Sequence, residues 1–180
     1  MLDRARPGTL LCAPSCRDYC TWQAVNSAVV PGFRDALRRR RLAHAVLLRW
    51  MVGELLAQLL RGGDVIVEQP RRSQMWLVFC VRRLLREALA RGFDLDFVDL
   101  DQCRFDLKDP VSKRRFKKST RLLVSRPHRF SKVALRCSCR RPHEPLAGST
   151  VLHGRSVRKT RFAECYPRKL AAAIADVVCG

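Results

Sequence analysis

The sequence predicts an α/β fold in which the chain forms the second half of an open sheet, followed by a basic, irregular C-terminal region. Two apolar, strand-like runs at residues 9–13 and 64–68 are separated by a long helical pattern. A shorter helical pattern leads to two further strand-like runs, at 95–100 and 120–124. The Gly-rich turn that follows the first strand of a nucleotide-binding sheet is absent, and only eight residues precede that strand. The sequence therefore lacks the pattern of the first half of such a sheet, which carries that turn.

The composition favours one packed domain. The 180 residues are 47% hydrophobic, which is enough for a hydrophobic core. We expect a single domain over residues 1–180, with the half-sheet and its site motifs at 9–124. A Cys-, Arg- and Pro-rich irregular segment at 125–165 and a helix at 166–178 complete the chain.

The first two strands and the helix between them have clear boundaries. The first strand ends at Pro14, Pro31-Gly32 precedes the helix, and Gly62-Gly63 ends it before the β-branched run 64–68. The first turns of this helix, at 38–41, are basic and are expected to face solvent. An apolar stripe farther along it is expected to lie against the sheet. The stripe consists of Ala43, Leu47, Leu48, Met51, Val52, Leu55, Leu56, Leu59 and Leu60.

The later elements follow from similar signals. A helix at 77–90 closes at Gly92, and the alternating residues at 95–100 indicate a half-exposed strand whose antiparallel partner is 120–124. Pro167, at a favoured first-turn position, begins the last helix. The three tryptophans, Trp22, Trp50 and Trp76, are expected to anchor the core.

The chain is strongly basic, with 36 Lys and Arg against 16 Asp and Glu and a formal net charge of +20. The cations are clustered at 38–41, 113–118 and 136–141 rather than dispersed. A polyanionic partner is therefore expected: DNA, with RNA as the alternative. A solvated basic surface without a specific partner is the other interpretation.

The cysteines and the apolar segments bear on the compartment. Nine cysteines without a recognisable signal peptide indicate reduced thiols and an intracellular location, nuclear in a eukaryote. The most apolar helical stretch, at 43–60, carries Arg49 and Glu54. We therefore expect it not to span a bilayer, and we expect no membrane partner.

A thiol and a carboxyl group follow the first two predicted strands. Cys16 comes after the first strand and Glu68 ends the second. The carboxyl ends of parallel strands meet at one edge of an open sheet, where α/β enzymes build their sites. The simpler interpretations are that Cys16 is an inert core thiol and that Glu68 pairs with Arg71 or Arg72.

Five motifs follow one another over residues 9–178. They are Cys12-Ala13-Pro14-Ser15-Cys16-Arg17-Asp18-Tyr19-Cys20 with Gln23 and Asn26, then Glu68-Gln69-Pro70, Cys103-Arg104-Phe105-Asp106 with Lys118-Ser119-Thr120-Arg121, His143-x-x-Leu146-x-Gly148, and Tyr166-Pro167-x-x-Leu170. In this order and spacing they resemble motifs of the cytosine-5 DNA methyltransferase family, in the divergent form found in phage and mobile-element sequences. The first is similar to the family's S-P-P-C-x-x-F-S-x-x-Q-x-x-N turn and the second to its E-N-V or E-N-P motif.

This resemblance implies a partial class I methyltransferase-like (Rossmann-like) sheet that serves as a catalytic and target-recognition segment. Cys16 would be the thiolate that adds to carbon 6 of cytosine, and Glu68 the acid that activates ring nitrogen 3. S-adenosylmethionine would be the methyl donor, held by a companion chain because the donor-binding half is missing. The residues that would contact DNA are Arg17, Gln69, Lys117, Lys118, Thr120 and Arg121.

The chain also departs from the family pattern. Ser15, Gln69 and Asp106 stand where the family has Pro, Asn and Gly. Because these changes loosen a turn or lengthen a positioning side chain, we expect a fragment or degenerate copy rather than an independent enzyme. A solvated loop is the alternative interpretation of the Lys and Arg residues at 113–121, although the two strands that flank them favour a groove-lining role. A different class of function stays open: a non-enzymatic basic protein that binds nucleic acid by counterion release.

A second cluster has metal-ligand chemistry. Cys137-x-Cys139-x3-His143, together with Cys103, could supply four ligands to tetrahedral zinc. C-x-C is not the usual C-x2-C knuckle and no second pair follows it. We therefore expect a loop of reduced thiols and no metal, with zinc at these four residues as the alternative.

Overall fold

The structure is a computed structural model that describes residues 7–180. It has a mixed α/β architecture with a four-stranded mixed sheet, four α-helices and a small two-stranded sheet. The helices are α1 (Trp22–Val29), α2 (Phe33–Leu60), α3 (Phe79–Ala90) and α4 (Arg168–Cys179). The strands are β1 (Thr9–Cys12), β2 (Asp64–Pro70), β3 (Leu95–Asp101), β4 (Ser119–Ser125), β5 (Ser149–Leu152) and β6 (Arg155–Arg158). The α/β class predicted from the sequence is confirmed.

The larger sheet has the strand order β1-β2-β4-β3. Strands β1 and β2 are parallel, in a register that pairs Thr9 with Asp64 and Cys12 with Val67. The long helix α2 connects them, as a parallel connection requires. Glu68 is thus the first residue of β2 beyond the end of β1.

Strand β4 runs against both of its neighbours. The Gln102 N–H donates to the Lys118 carbonyl (3.0 Å), and the Arg126 N–H donates to the Asp94 carbonyl (2.8 Å), so β3 and β4 run in opposite directions. Beside β2, the hydroxyl of Ser125 at the end of β4 accepts a bond from the Val65 N–H (3.0 Å) at the start of β2. The predicted antiparallel pairing is confirmed.

The chain divides into two compact units. The first contains the residues up to Phe97 together with Leu122–Pro127. The second contains Val98–Arg121 and His128–Gly180.

In the first unit, α2 packs against the sheet through a narrower stripe than the sequence indicates. Its buried apolar residues include Leu48 and Leu55, which have no exposed surface. Ala43, Leu47 and Leu60 are exposed, so the prediction was wrong at those positions. The physical reason is that residues four positions apart differ by about 40° around the helix axis. A long series of such residues therefore moves gradually off the buried face.

Two further expectations about the first unit need correction. Trp76 is buried and its ring meets Phe97 edge-on, but Trp22 and Trp50 are 61% and 58% exposed. Both exposed rings lie on helices whose buried face is filled by smaller side chains. Helix α1, which carries Trp22, was not predicted; its N-terminus has no side-chain cap to mark it in the sequence.

Helix α2 is the one element among residues 7–180 that is long and apolar enough to cross a membrane, judged by length and composition alone. The core helix of a folded domain or a signal sequence can pass the same test. The expectation of no membrane partner stays a prediction.

The second unit has a small core of its own. Leu107, Phe116 and Ala163 are buried together. Within the segment predicted to be irregular, β5 and β6 form an antiparallel hairpin. Its turn residues His153 and Gly154 both have positive φ, 49° and 74°, which is the geometry of a tight two-residue hairpin turn.

Candidate active site and candidate metal centre

Cys16 lies in the loop that follows β1 and is half-buried. The loop turns immediately afterwards, since the Tyr19 N–H donates to the Cys16 carbonyl (3.0 Å). The Gln23 side-chain amide donates to the Arg17 carbonyl and closes the turn from the side of α1. The predicted polar turn at Cys16 is therefore present, and Arg17 projects from it with an exposed side chain.

Glu68 and Gln69 are buried at the end of β2, with 7% and 0% of their surface exposed. The Gln69 Nε2 donates to the Pro14 carbonyl in the Cys16 loop. Its Oε1 accepts a bond from the Ser73 hydroxyl (3.0 Å). Gln69 thereby ties the end of β2 to the loop of β1, and the elements that carry Cys16 and Glu68 end at the same edge of the sheet.

Helix α2 supports the Cys16 turn through two arginines that the sequence analysis assigned to solvent. The Arg40 guanidinium pairs with Asp18 (2.9 Å), and the Arg41 Nε donates to the Asp18 carbonyl (2.8 Å). Arg41 also lies over the Tyr19 ring, 5.2 Å from its centre. The expectation of a purely solvated 38–41 face is therefore wrong at Arg40 and Arg41. Asp18, two residues after Cys16, was the available signal.

A cavity of about 580 Å³ opens beside this turn in the first unit. Tyr19, Gln23, Arg41 and Gln74 are among the residues that line it. It has both apolar walls and hydrogen-bonding groups. Neither Cys16 nor Glu68 belongs to its lining among the residues that the structure describes.

Three of the residues predicted to hold nucleic acid make contacts within the second unit. Thr120 is fully buried, and its Oγ1 accepts a bond from Gln102 Nε2 (2.9 Å). The Arg121 guanidinium forms a two-pronged pair with Asp99 (2.7 and 3.0 Å). The Lys118 ammonium donates to the Ala163 carbonyl (3.0 Å). These bonds give each residue a structural role, and contact with nucleic acid stays a prediction.

Lys117 is exposed. The second unit also contains a basic cleft, to whose lining Lys117 does not belong. The cleft has a volume of about 660 Å³. Its cationic lining consists of Lys113, Arg114, Arg115, Arg140 and Arg141. Arg114 and Arg115 pair with Glu144 (3.5 Å) and Asp106 (3.6 Å). The other three cations of this cleft have no carboxylate partner among residues 7–180, so the cleft keeps a positive charge.

Cys103, Cys137, Cys139 and His143 come together in the second unit, as the zinc alternative requires. Their ligand atoms all lie within 4.8 Å of one another. Cys137 Sγ is 3.5 Å from His143 Nε2. All nine cysteines of the chain lie within the described residues, and none of them is in a disulfide.

Asp101 holds the two segments of this cluster together. Its side chain accepts bonds from the Cys137 N–H (2.8 Å) and from the Ser119 hydroxyl. Burial alone would raise the pKa of Asp101, but these bonds and the nearby Arg136 outweigh it and lower that pKa below its usual range. Asp101 is therefore a charged carboxylate whose position fixes the backbone at Cys137.

The thiols of the cluster differ in acidity. Burial, and then the neighbouring Cys137 and Cys139, raises the pKa of Cys103 to about 12. The backbone N–H of Cys139 is the main cause that lowers the pKa of Cys137, and Lys117 acts in the same direction. The pKa of Cys137 is therefore below that of Cys103.

The loop at 13–16 after β1 contains no glycine. A Gly-rich turn of the nucleotide-binding type is therefore not at this loop, and S-adenosylmethionine as the methyl donor stays a prediction. A comparison with protein-family models, curated proteins and solved structures finds no match to this chain.

Proposed function

We propose that this chain is a DNA-binding segment of the cytosine-5 DNA methyltransferase type, in which Cys16 attacks a cytosine and Glu68 activates it. The observation that carries the proposal is the parallel pairing of β1 with β2, which ends both strands at one sheet edge. The bond from Gln69 to the Pro14 carbonyl holds the Cys16 loop against that edge. A thiol and a buried acid in such a place are the two groups that this chemistry needs.

The strand arrangement supports the same proposal. In the second half of a class I methyltransferase sheet, a reversed strand is inserted between two strands that run parallel to each other. The order β1-β2-β4-β3, with β4 antiparallel to both neighbours, is of this kind. The Cys16 loop follows β1, the first strand of this half-sheet, which is where the resemblance to the family's cysteine motif places it.

The proposed reaction begins when the Cys16 thiolate forms a bond to carbon 6 of cytosine. The carbon 5–carbon 6 double bond opens, and its electron pair moves into the ring while Glu68 gives a proton to nitrogen 3. Carbon 5 is then the nucleophilic end of an enamine. In the absence of a methyl donor, carbon 5 takes a proton from water. The hydroxide left by that water takes the original hydrogen from carbon 5. Return of the nitrogen 3 proton to Glu68 and departure of the thiolate then regenerate cytosine.

Methyl transfer would need a donor-binding half, on a companion chain or elsewhere on the polypeptide, because residues 7–180 contain no Gly-rich turn of the kind that such a site uses. The residues of this chain would bind the base and form the covalent bond, and the other half would supply the methyl group. S-adenosylmethionine therefore enters the proposal as the co-substrate of that other half.

The test is exchange of the carbon 5 hydrogen, which needs no methyl donor. Single-stranded DNA labelled with tritium at carbon 5 of cytosine removes the cost of unstacking the base. We expect release of tritium to water by the wild-type chain and none by Cys16→Ser. Glu68→Gln should slow release by about 10²- to 10⁴-fold, the usual contribution of a positioned acid.

Cys20→Ser is the matched control, because Cys20 is a half-buried thiol in the same turn whose Sγ donates to the Arg17 carbonyl (3.5 Å). It should release tritium at the wild-type rate. Release that is absent from the wild type, or equal in Cys16→Ser, would overturn the proposal.

A second candidate is a non-enzymatic nucleic-acid-binding protein. The net charge of +20 and the basic cleft of the second unit favour it. On this alternative, wild type and Cys16→Ser bind DNA equally, with a steep salt dependence and no sequence preference, and neither exchanges tritium.

A further inference from the structure

We infer that Cys103, Cys137, Cys139 and His143 form a structural zinc site in the second unit. Three thiolates and one imidazole make a closed set of four ligands, which is typical of structural zinc rather than of a catalytic ion with an open position. The site is independent of the proposed cytosine chemistry, since all four ligands belong to the second unit and Cys16 and Glu68 to the first.

The spacing of the ligand atoms suits zinc. Zinc binds sulfur at about 2.3 Å and nitrogen at about 2.0 Å, so tetrahedral ligands lie about 3.5–3.8 Å apart. The 3.5 Å between Cys137 Sγ and His143 Nε2 already has this value. All other pairs lie within 4.8 Å, so movements of about 1 Å would complete the tetrahedron.

The backbone around the ligands is arranged without the help of their side chains. Cys103 belongs to the short 3-10 helix Gln102–Phe105 that directly follows β3, and it has no exposed surface. The Asp101 N–H donates to the Leu135 carbonyl (2.9 Å), and the Cys137 N–H donates to the Asp101 carboxylate (2.8 Å). These bonds align the two segments, so the four side chains converge for a reason other than mutual attraction of thiols.

The surroundings compensate the charge of such a site. Zinc with three thiolates carries a net charge of −1, and cations nearby stabilise it. The Arg115 guanidinium donates to Cys139 Sγ (3.9 Å), and the positive charge of Lys117 lowers the pKa of Cys137. An outer shell of donors to sulfur is what zinc–thiolate sites commonly have.

The site would also shape the basic cleft. Cys139 and His143 enclose a three-residue loop that contains Arg140 and Arg141, and all four residues line the cleft. A metal bound at both ends of this loop would fix the two arginines in place. Zinc removal should therefore lower the affinity for DNA and destabilise the second unit.

The first test is the metal content of the full chain, purified without chelators. We expect one zinc per chain, measured by elemental analysis and by mass spectrometry under native conditions. Cys139→Ser should lose it, while Cys165→Ser, at an exposed cysteine outside the cluster, should keep it. A wild type that is folded and free of zinc, and that takes up none on addition, would overturn the inference.

Cobalt substitution keeps the test decisive if Cys139→Ser fails to fold. Co²⁺ in the wild type should show the visible absorption of a tetrahedral ion and thiolate-to-metal charge transfer. His143→Cys converts three thiolates into four, so the charge-transfer absorption should rise by about one third. Unchanged absorption in His143→Cys, or a disulfide between cluster cysteines in the folded wild type, would contradict zinc binding.

Discussion

The replacement Thr120→Val separates the structural role of Thr120 from its predicted role in holding DNA. Thr120 and Gln102 have no exposed surface, and one hydrogen bond of 2.9 Å joins Thr120 Oγ1 to Gln102 Nε2. Valine has nearly the same shape but no acceptor, so the Gln102 amide loses this partner inside the protein. Gln102 Oε1 already has no hydrogen-bond partner within residues 7–180. The variant therefore removes the one side-chain bond that the structure gives to this buried amide.

The expected cost is about 1–3 kcal/mol in the free energy of unfolding, the usual penalty for a buried donor left without its acceptor. For a chain of this size, that corresponds to a loss of about 2–4 °C in Tm for each kcal/mol. Thr120→Ser keeps the hydroxyl and should recover most of the hydrogen-bond contribution. Thr150→Val, on the half-exposed strand β5, is the matched control and should change stability by less than about 0.5 kcal/mol.

Thermal and urea unfolding measure the stability, and fluorescence anisotropy at fixed salt measures DNA affinity. The structural account predicts a lower Tm in Thr120→Val with DNA affinity unchanged at temperatures where the variant is folded. An unchanged Tm together with a tenfold loss of affinity would refute it, because the hydroxyl would then face the ligand.

Two further predictions concern the second unit. The pKa of Asp101 is lowered in the folded chain, so the stabilisation that this carboxylate contributes is present above its unfolded pKa of about 3.9 and is lost as the pH falls through the folded value. The variant Asp101→Asn should therefore lose less stability than the wild type below about pH 4. Urea unfolding across pH measures this difference. On duplex DNA, the double variant R140Q/R141Q should reduce the magnitude of the slope of log affinity against log salt by about 1.8, since each phosphate contact contributes about 0.9. The control R155Q/R158Q, with the same charge change on exposed strand β6, should leave that slope unchanged, and equal effects of the two variants would show that the cleft is not the binding surface.

Sequence patterns identified the elements that position Cys16 and Glu68. The β-branched run at 64–68 and the break at Pro14 have strong local signals, and both strands lie where those signals place them. Gly32 has a φ of 70°, a conformation that glycine readily adopts and that lets the long helix begin there. In these cases the local sequence signals were sufficient to predict where the elements begin and end.

Other features depend on contacts between distant residues and could not be read from a pattern. The roles of Arg40 and Arg41 depend on Asp18, which approaches them only when α2 folds back beside the Cys16 turn. The cluster of Cys103, Cys137, Cys139 and His143 is similar, because Asp101 aligns the segment of Cys103 with that of Cys137 through its bonds to Leu135 and Cys137. The sequence named all four candidate ligands, but the spacing Cys137-x-Cys139 gave a reason to doubt zinc, and the convergence of the four side chains is visible only in the folded chain.

If the Cys16 sulfur forms a bond to a cytosine ring, the site of a trapped adduct identifies that residue without the need for turnover. DNA that contains 5-azacytosine accepts a thiolate at carbon 6 without a methyl donor, and mass spectrometry of the digested complex locates the modified residue. The account predicts an adduct on Cys16 that persists in Cys20→Ser. An adduct on any other cysteine, or an equal yield from Cys16→Ser, would contradict it.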